Sequence, residues 1–176
     1  MILVNLGDKP PAGFDQPLQM LKDCHRRIEH FLGVIRKVER TFGGGELNDD
    51  GRRALNAAIH YFANFAPRHT ADEEQSLFPR LADSSASEAA RAALERLESD
   101  HRIADARHAE VDSLARKWLD SHRLPPAERA KLDQALAELE LIYAAHIPLE
   151  ENELFVLAGQ SLDSQQLRDI GDEMRR

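Results

Sequence analysis

The sequence predicts an all-α fold, an up-down-up-down four-helix bundle with a short C-terminal helix. Three observations predict it. Helix breakers cut the chain into four long stretches and one short one. Each long stretch carries apolar residues at a 3–4 spacing, the period of a helix with one buried face. No stretch shows the sustained alternation of a half-buried strand. Short connections then favour antiparallel neighbours.

The elements follow in order. GDKPPAGFDQP at 7–17 reads as a loop feeding the first helix, with Asp15 as N-cap and Pro17 in the first turn. Gly43-Gly44-Gly45 ends that helix, and Asn48, Asp49 and Asp50 offer caps for the next. Pro79 and ADSSAS end the second helix. Ser85 and Glu88 have capping-box spacing for the third. Leu124-Pro125-Pro126 separates the third from the fourth. Gly159 closes the fourth, and Asp163 or Ser164 opens the short last one. The expected organisation is a lead segment, 1–14, and one bundle domain, 15–176.

Composition bounds the function. The chain has 176 residues, 42% hydrophobic and 31% charged, an ordinary balance for a globular protein. Its net charge of −8, without a basic stripe, argues against a nucleic-acid partner. No apolar run reaches the roughly 18 residues of a membrane span, and the N-terminus lacks signal-peptide features. A single cysteine, Cys24, excludes an internal disulfide and any multi-cysteine metal site. The expectation is a cytoplasmic protein with no membrane partner.

The chemistry lies on the four stripes. They read Leu18, Leu21, His25, Ile28, Leu32, Ile35; then Leu55, Ile59, Phe62, Ala66, His69, Glu73; then Leu94, Leu97, His101, Ala104, His108, Val111; then Leu132, Leu136, Leu139, Tyr143, His146, Glu150. Each stripe carries a histidine, and two add a glutamate one turn later. The phrase H-x-x-x-E-E-x-x-L-F occurs twice, as HTADEEQSLF from His69 and HIPLEENELF from His146. The spacing from His25 to His69 nearly equals that from His101 to His146, so two helix hairpins of one design face each other.

Residues four apart on a helix lie about 6 Å along the axis and about 40° around it. His69 with Glu73, and His146 with Glu150, therefore address one site. Glu74 and Glu151 are rotated about 100° off the seam, and substituting Glu74 is expected to matter less than substituting Glu73. The Leu-Phe that follows reads as a hydrophobic lock at the end of the bundle. Pro67 and Pro148 lie near the ligand histidines and predict kinks. His30 reads as a surface residue or one just behind the ligands, His60 as outward, His122 as a loop residue, Cys24 as a packed thiol, and Tyr143 as a core aromatic or a hydrogen-bond partner for a metal-bound oxygen species.

His25, His69, Glu73, His101, His146 and Glu150 form an imidazole–carboxylate set. It suits iron, manganese or zinc and is too rich in nitrogen for calcium or magnesium. Buried carboxylates cost several kcal/mol each without a counter-charge. No Lys or Arg lies on these seam stretches, so a metal is expected to supply it. Two carboxylates on opposite helices suit two metals better than one.

This pattern resembles the hemerythrin-like, or HHE cation-binding, domain family. The family has a lone His on the first helix, His-x-x-x-Glu on the second, His on the third and His-x-x-x-Glu, or a carboxylate one residue later, on the fourth. His25, His69 with Glu73, His101, and His146 with Glu150 fill those places in order, over roughly residues 15 to 158. Glu-Glu-x-x-Leu-Phe-Pro at 73–79 also resembles the family's motif ending. The resemblance implies a non-haem centre of two iron ions, bridged by the carboxylates and a solvent-derived oxygen. It implies as partner a small diatomic ligand or peroxide, with oxygen or redox sensing, nitric oxide handling or a stress response as the role. Iron-centre repair, iron handling and weak peroxidase chemistry are the alternatives. Oxygen-carrying members have a second His four residues after the first on the third helix. Here that place holds Asp105, which predicts a more open iron coordination, completed by water or Asp105. His108 is expected to line the cavity, and Leu32, Phe62, Leu97 and Leu139 to form its apolar wall.

Overall fold

The computed structural model describes residues 12–83 and 87–175. Among these residues all regular structure is helical. Helix α1 is Pro17–Phe42 and α2 is Asp49–Asn64. The second helical run then continues as α3, Ala66–Asp72, a π-helical turn, Glu73–Leu77, and α4, Phe78–Asp83. Helix α5 is Glu88–Ser121 and α6 is Pro126–Leu149. A second π-turn, Glu150–Leu154, leads into α7, Phe155–Ser161, and α8 is Ser164–Glu173. Helix α1 packs against α2 and α6, and α5 packs against the same two, so the four long runs enclose one interior.

Most ends follow the expected signals. Gly43 caps α1 at φ 54°, with its N–H donating to the Glu39 carbonyl. Asn48 caps α2 by accepting from Gly51 N–H, and Asp163 forms a capping box with Gln166. Others differ. Helix α1 starts one residue after Gln16, which makes no side-chain cap, so Asp15 is not the N-cap. Ser85 lies outside the described residues; Ser87 caps α5 instead, accepting from Ala90 N–H. Gly159 lies inside α7, two residues before its end.

The prolines act differently from one another. Pro67 does not kink a continuous helix. The chain breaks at Phe65 (φ −115°), and Pro67 sits in the first turn of α3, where its missing N–H costs nothing. Pro148 stays inside α6, two residues before the second π-turn.

The buried faces follow the four stripes, with Leu18, Ala66, His108 and Tyr143 only half-buried. Leu21, Ile28, Leu32 and Ile35 of α1 are buried, as are Leu55, Ile59 and Phe62 of α2. Leu94, Leu97, Ala104 and Val111 of α5, and Leu132, Leu136 and Leu139 of α6, complete the interior. The apolar side chains form two clusters rather than one. On α1, Leu21 belongs to the smaller cluster and Ile28 to the larger, with His25 between them. On α5, His101 likewise separates Leu97 from Ala104. A polar layer thus divides the core.

Candidate metal centre

All six predicted site residues meet in that polar layer. His25, His101, His69 and His146 are buried, and Glu73 and Glu150 have no exposed surface. The four Nε2 atoms converge on the two carboxylates. His69 Nε2 and His101 Nε2 each lie 3.4 Å from Glu73 Oε2. His25 Nε2 lies 3.0 Å from Glu150 Oε2 and 3.7 Å from Glu73 Oε1. His146 Nε2 lies 3.3 Å from Glu150 Oε1. Two groups of four ligand atoms result, each atom within 4.8 Å of the others in its group. One comprises His25, His69, Glu73 and Glu150; the other comprises His101, His146, Glu73 and Glu150. Glu73 and Glu150 belong to both.

The donor set suits a metal. Both oxygens of Glu73, both of Glu150 and His25 Nε2 are buried and make no hydrogen bond. The 3.0 Å approach of His25 to Glu150 is an ion-pair distance without hydrogen-bond geometry. Buried polar atoms are nearly always satisfied, because each orphan costs about 1–3 kcal/mol. Lone pairs from imidazole and carboxylate, aimed at one volume, are what a divalent cation takes up.

Electrostatics of the protein groups alone point the same way. Burial works against the Glu73 carboxylate, but His69, His101 and His25 outweigh it and hold its pKa well below the usual range. Burial and the neighbouring Glu73 oppose ionisation of Glu150, yet contacts with His146 and His25 still hold it low. Burial disfavours charge on His25, but Glu150 and Glu73 prevail and raise it to about 10. His101 is raised to about 9, with burial again overcome by Glu73. His69 goes the other way, to about 4, because burial dominates and the charges on His25 and His101 add to it. Protons on two histidines can thus balance the two carboxylates, a second source of counter-charge besides metal.

The twice-written phrase closes around the lone histidines. Glu74, after the first His-x-x-x-Glu, accepts a hydrogen bond from His101 Nδ1 at 2.9 Å. Glu151, after the second, accepts one from His25 Nδ1 at 2.9 Å. A carboxylate accepts and does not donate, so Nδ1 carries the proton and Nε2 faces the centre. Phe78 stacks on His101 (6.1 Å, 2°) and Phe155 on His25 (5.7 Å, 8°). The π-turns make this possible. In a continuous α-helix Phe78 would lie roughly 140° around from Glu73. The π-turn bonds Phe78 N–H to the Glu73 carbonyl and brings the two into line. The Glu150–Phe155 pair repeats the arrangement. Each phrase is therefore a grip on the lone histidine of the other half of the chain, and Leu77 and Leu154 bury beside it. Sequence reasoning placed Glu74 and Glu151 off the seam and missed this role; the doubled glutamate in both phrases was its signal.

A cavity of about 40 Å³ adjoins the centre, lined by the four site histidines and by Phe62 and Tyr143 among others. Leu32, Leu97 and Leu139 do not line it; Leu97 and Leu139 are packed into the core, and Leu32 faces a separate cleft with Glu140. His108 does line it and shares a 2.8 Å hydrogen bond with the Tyr143 hydroxyl. Burial lowers His108 to about 4, which keeps its ring neutral. Asp105 borders the cavity but is exposed and lies outside both ligand groups. His30, His60 and His122 are exposed, as expected. Cys24 is half-buried, and burial pushes its thiol up to about 11, which suits a packed residue. A larger cleft of about 430 Å³, with Arg52, Arg53 and Arg116 in its lining, holds no such ligand set.

The family model described as the hemerythrin HHE cation binding domain matches residues 16–158. The chain is also similar to an uncharacterized protein of Haemophilus influenzae (strain KW20 / Rd). The two are 27% identical over 169 residues, covering 93% of this chain and 90% of the relative. Among the described residues no helix is long and apolar enough to cross a membrane.

Proposed function

This chain belongs to the hemerythrin HHE cation-binding domain family, and from that premise we propose that it is a non-haem di-iron protein acting on a small ligand. The family binds metal cations, typically iron. The observation that carries the dinuclear reading is the sharing of Glu73 and Glu150 by two groups of four ligand atoms. His25 and His69 would serve one ion, His101 and His146 the other, and the two carboxylates both. Iron bound there would supply a change of oxidation state and open coordination positions. Six side chains for two ions leave such positions free.

The chain's own residues do the rest. Glu74 and Glu151 orient His101 and His25. Phe78 and Phe155 shield those rings on one side. The adjoining 40 Å³ holds about one or two water-sized molecules, which suits oxygen, nitric oxide or peroxide and excludes larger substrates. The Tyr143–His108 pair offers polar atoms beside that cavity. In this reading the four long runs alternate up-down-up-down, residues 15–176 form one domain, and the protein works in the cytoplasm in oxygen or redox sensing or a stress response.

Site substitutions test the assignment. Glu73→Ala and Glu150→Ala should each lose one or both irons per chain, measured by elemental analysis. Wild-type iron content in both variants contradicts the shared-carboxylate centre. The iron-loaded protein should change its absorption spectrum on exposure to nitric oxide, oxygen or peroxide. Silence toward all three would favour iron handling over ligand chemistry.

A further inference from the structure

The two lone histidines are gripped alike but not equally. Glu151, which accepts from His25, is itself held by Arg26, whose Nη2 lies 2.8 Å from Oε1 and 2.7 Å from Oε2. Glu74, which accepts from His101, pairs with no Arg or Lys among the described residues. A guanidinium on both oxygens draws charge from a carboxylate and weakens it as an acceptor. The remaining ligands differ in the same sense. His146 Nδ1 lies 3.6 Å from the Asp100 carboxylate, too far for a hydrogen bond but near enough for its field, which Arg96 Nε, 3.9 Å from the same oxygen, partly offsets. His69 Nδ1 is buried with no hydrogen-bond partner.

We propose that the two halves of the centre are electrostatically inequivalent, and that Glu74 and Arg26 set the difference. The reading rests on the di-iron centre above. A strong anionic acceptor on Nδ1 makes the imidazole a better donor to metal through Nε2. His101 is then the stronger electron donor and His25 the weaker. The half formed by His101 and His146 has the lower one-electron reduction potential, and the half formed by His25 and His69 the higher. Glu74 and Glu151 are positioning residues: they act through the histidines and touch neither metal nor ligand. Arg26 acts one contact further out.

The test is a potentiometric titration of the iron-loaded protein, with iron per chain measured on each sample. Glu74→Gln keeps the shape and removes the charge. It should raise the lower potential, leave the upper nearly unchanged and weaken iron binding by about 10–100-fold. Arg26→Gln should instead lower the upper potential. Its side chain is 47% exposed, so this variant keeps the test open if Glu74→Gln folds poorly. Two irons per chain with both potentials unmoved in the variants would overturn this inference alone. Arg26→Gln raising the upper potential would overturn it as well. A wild-type chain that takes up fewer than two irons would overturn the inference together with the di-iron reading.

Discussion

Glu73 and Glu150 are fully buried carboxylates, and their counter-charge governs how the site responds to pH. Without metal, His25 at about 10 and His101 at about 9 carry protons at neutral pH. Both values lie above the ordinary histidine value of about 6.5. Such a group stabilises the fold fully below its unfolded pKa and loses that contribution as pH rises through its folded pKa. The metal-free protein should therefore lose stability between about pH 7 and pH 10. His69, lowered to about 4, acts oppositely: it is neutral in the fold and costs stability as pH falls below about 6.5. In the proposed centre metal would take the place of the protons on His25 and His101, so uptake near pH 7 should release about two protons per chain. Calorimetry in buffers of differing ionisation enthalpy measures this directly. Uptake without proton release would mean that these histidines keep their protons and do not bind the metal.

At the scale of elements, the loop after α1 is tightly constrained. Gly44 has φ 78°, and a Cβ there would stand 2.8 Å from the Leu124 carbonyl oxygen. Its own carbonyl accepts from Leu124 N–H at 2.8 Å, and Trp118 Nε1 donates to the Gly45 carbonyl at 2.8 Å. This loop thus ties the end of α1 to the α5–α6 connection. Gly44→Ala should cost at least about 1–2 kcal/mol from backbone strain alone, read as a lower midpoint in thermal or urea unfolding. An unchanged midpoint would show that the loop relaxes freely. The loop itself was legible from three consecutive glycines. The seam was legible too, because the 3–4 spacing carried His25, His69, His101 and His146 inward along with the leucines. The π-turns were not. Glu73–Leu77 and Glu150–Leu154 use ordinary helix-forming residues, and their five-residue bonds accompany the stacking of Phe78 on His101 and Phe155 on His25. The break at Phe65 was signalled only by Pro67, and the same signal at Pro148 leaves the helix intact.

For the whole molecule, the centre is a layer across the core. Apolar clusters lie on either side of it, and each long helical run contributes at least one buried polar side chain. Burying this set stabilises the fold only when its charges and lone pairs are matched. Metal that binds the folded chain alone adds about 2.7 kcal/mol at a hundred times its dissociation constant. Chelation should therefore lower the melting temperature of the wild-type protein, and iron should restore it. Glu73→Ala and Glu150→Ala should each respond less than the wild type to both, and a full iron-dependent shift in either variant would place the metal elsewhere. The measurement that bears most directly on the whole account is iron per chain, with absorption spectra recorded before and after reduction and again after air exposure. The proposed di-iron centre should give about two irons and near-ultraviolet charge-transfer bands that bleach on reduction. A chain that binds no iron under iron-replete expression, or holds a single spectrally silent zinc, would contradict it.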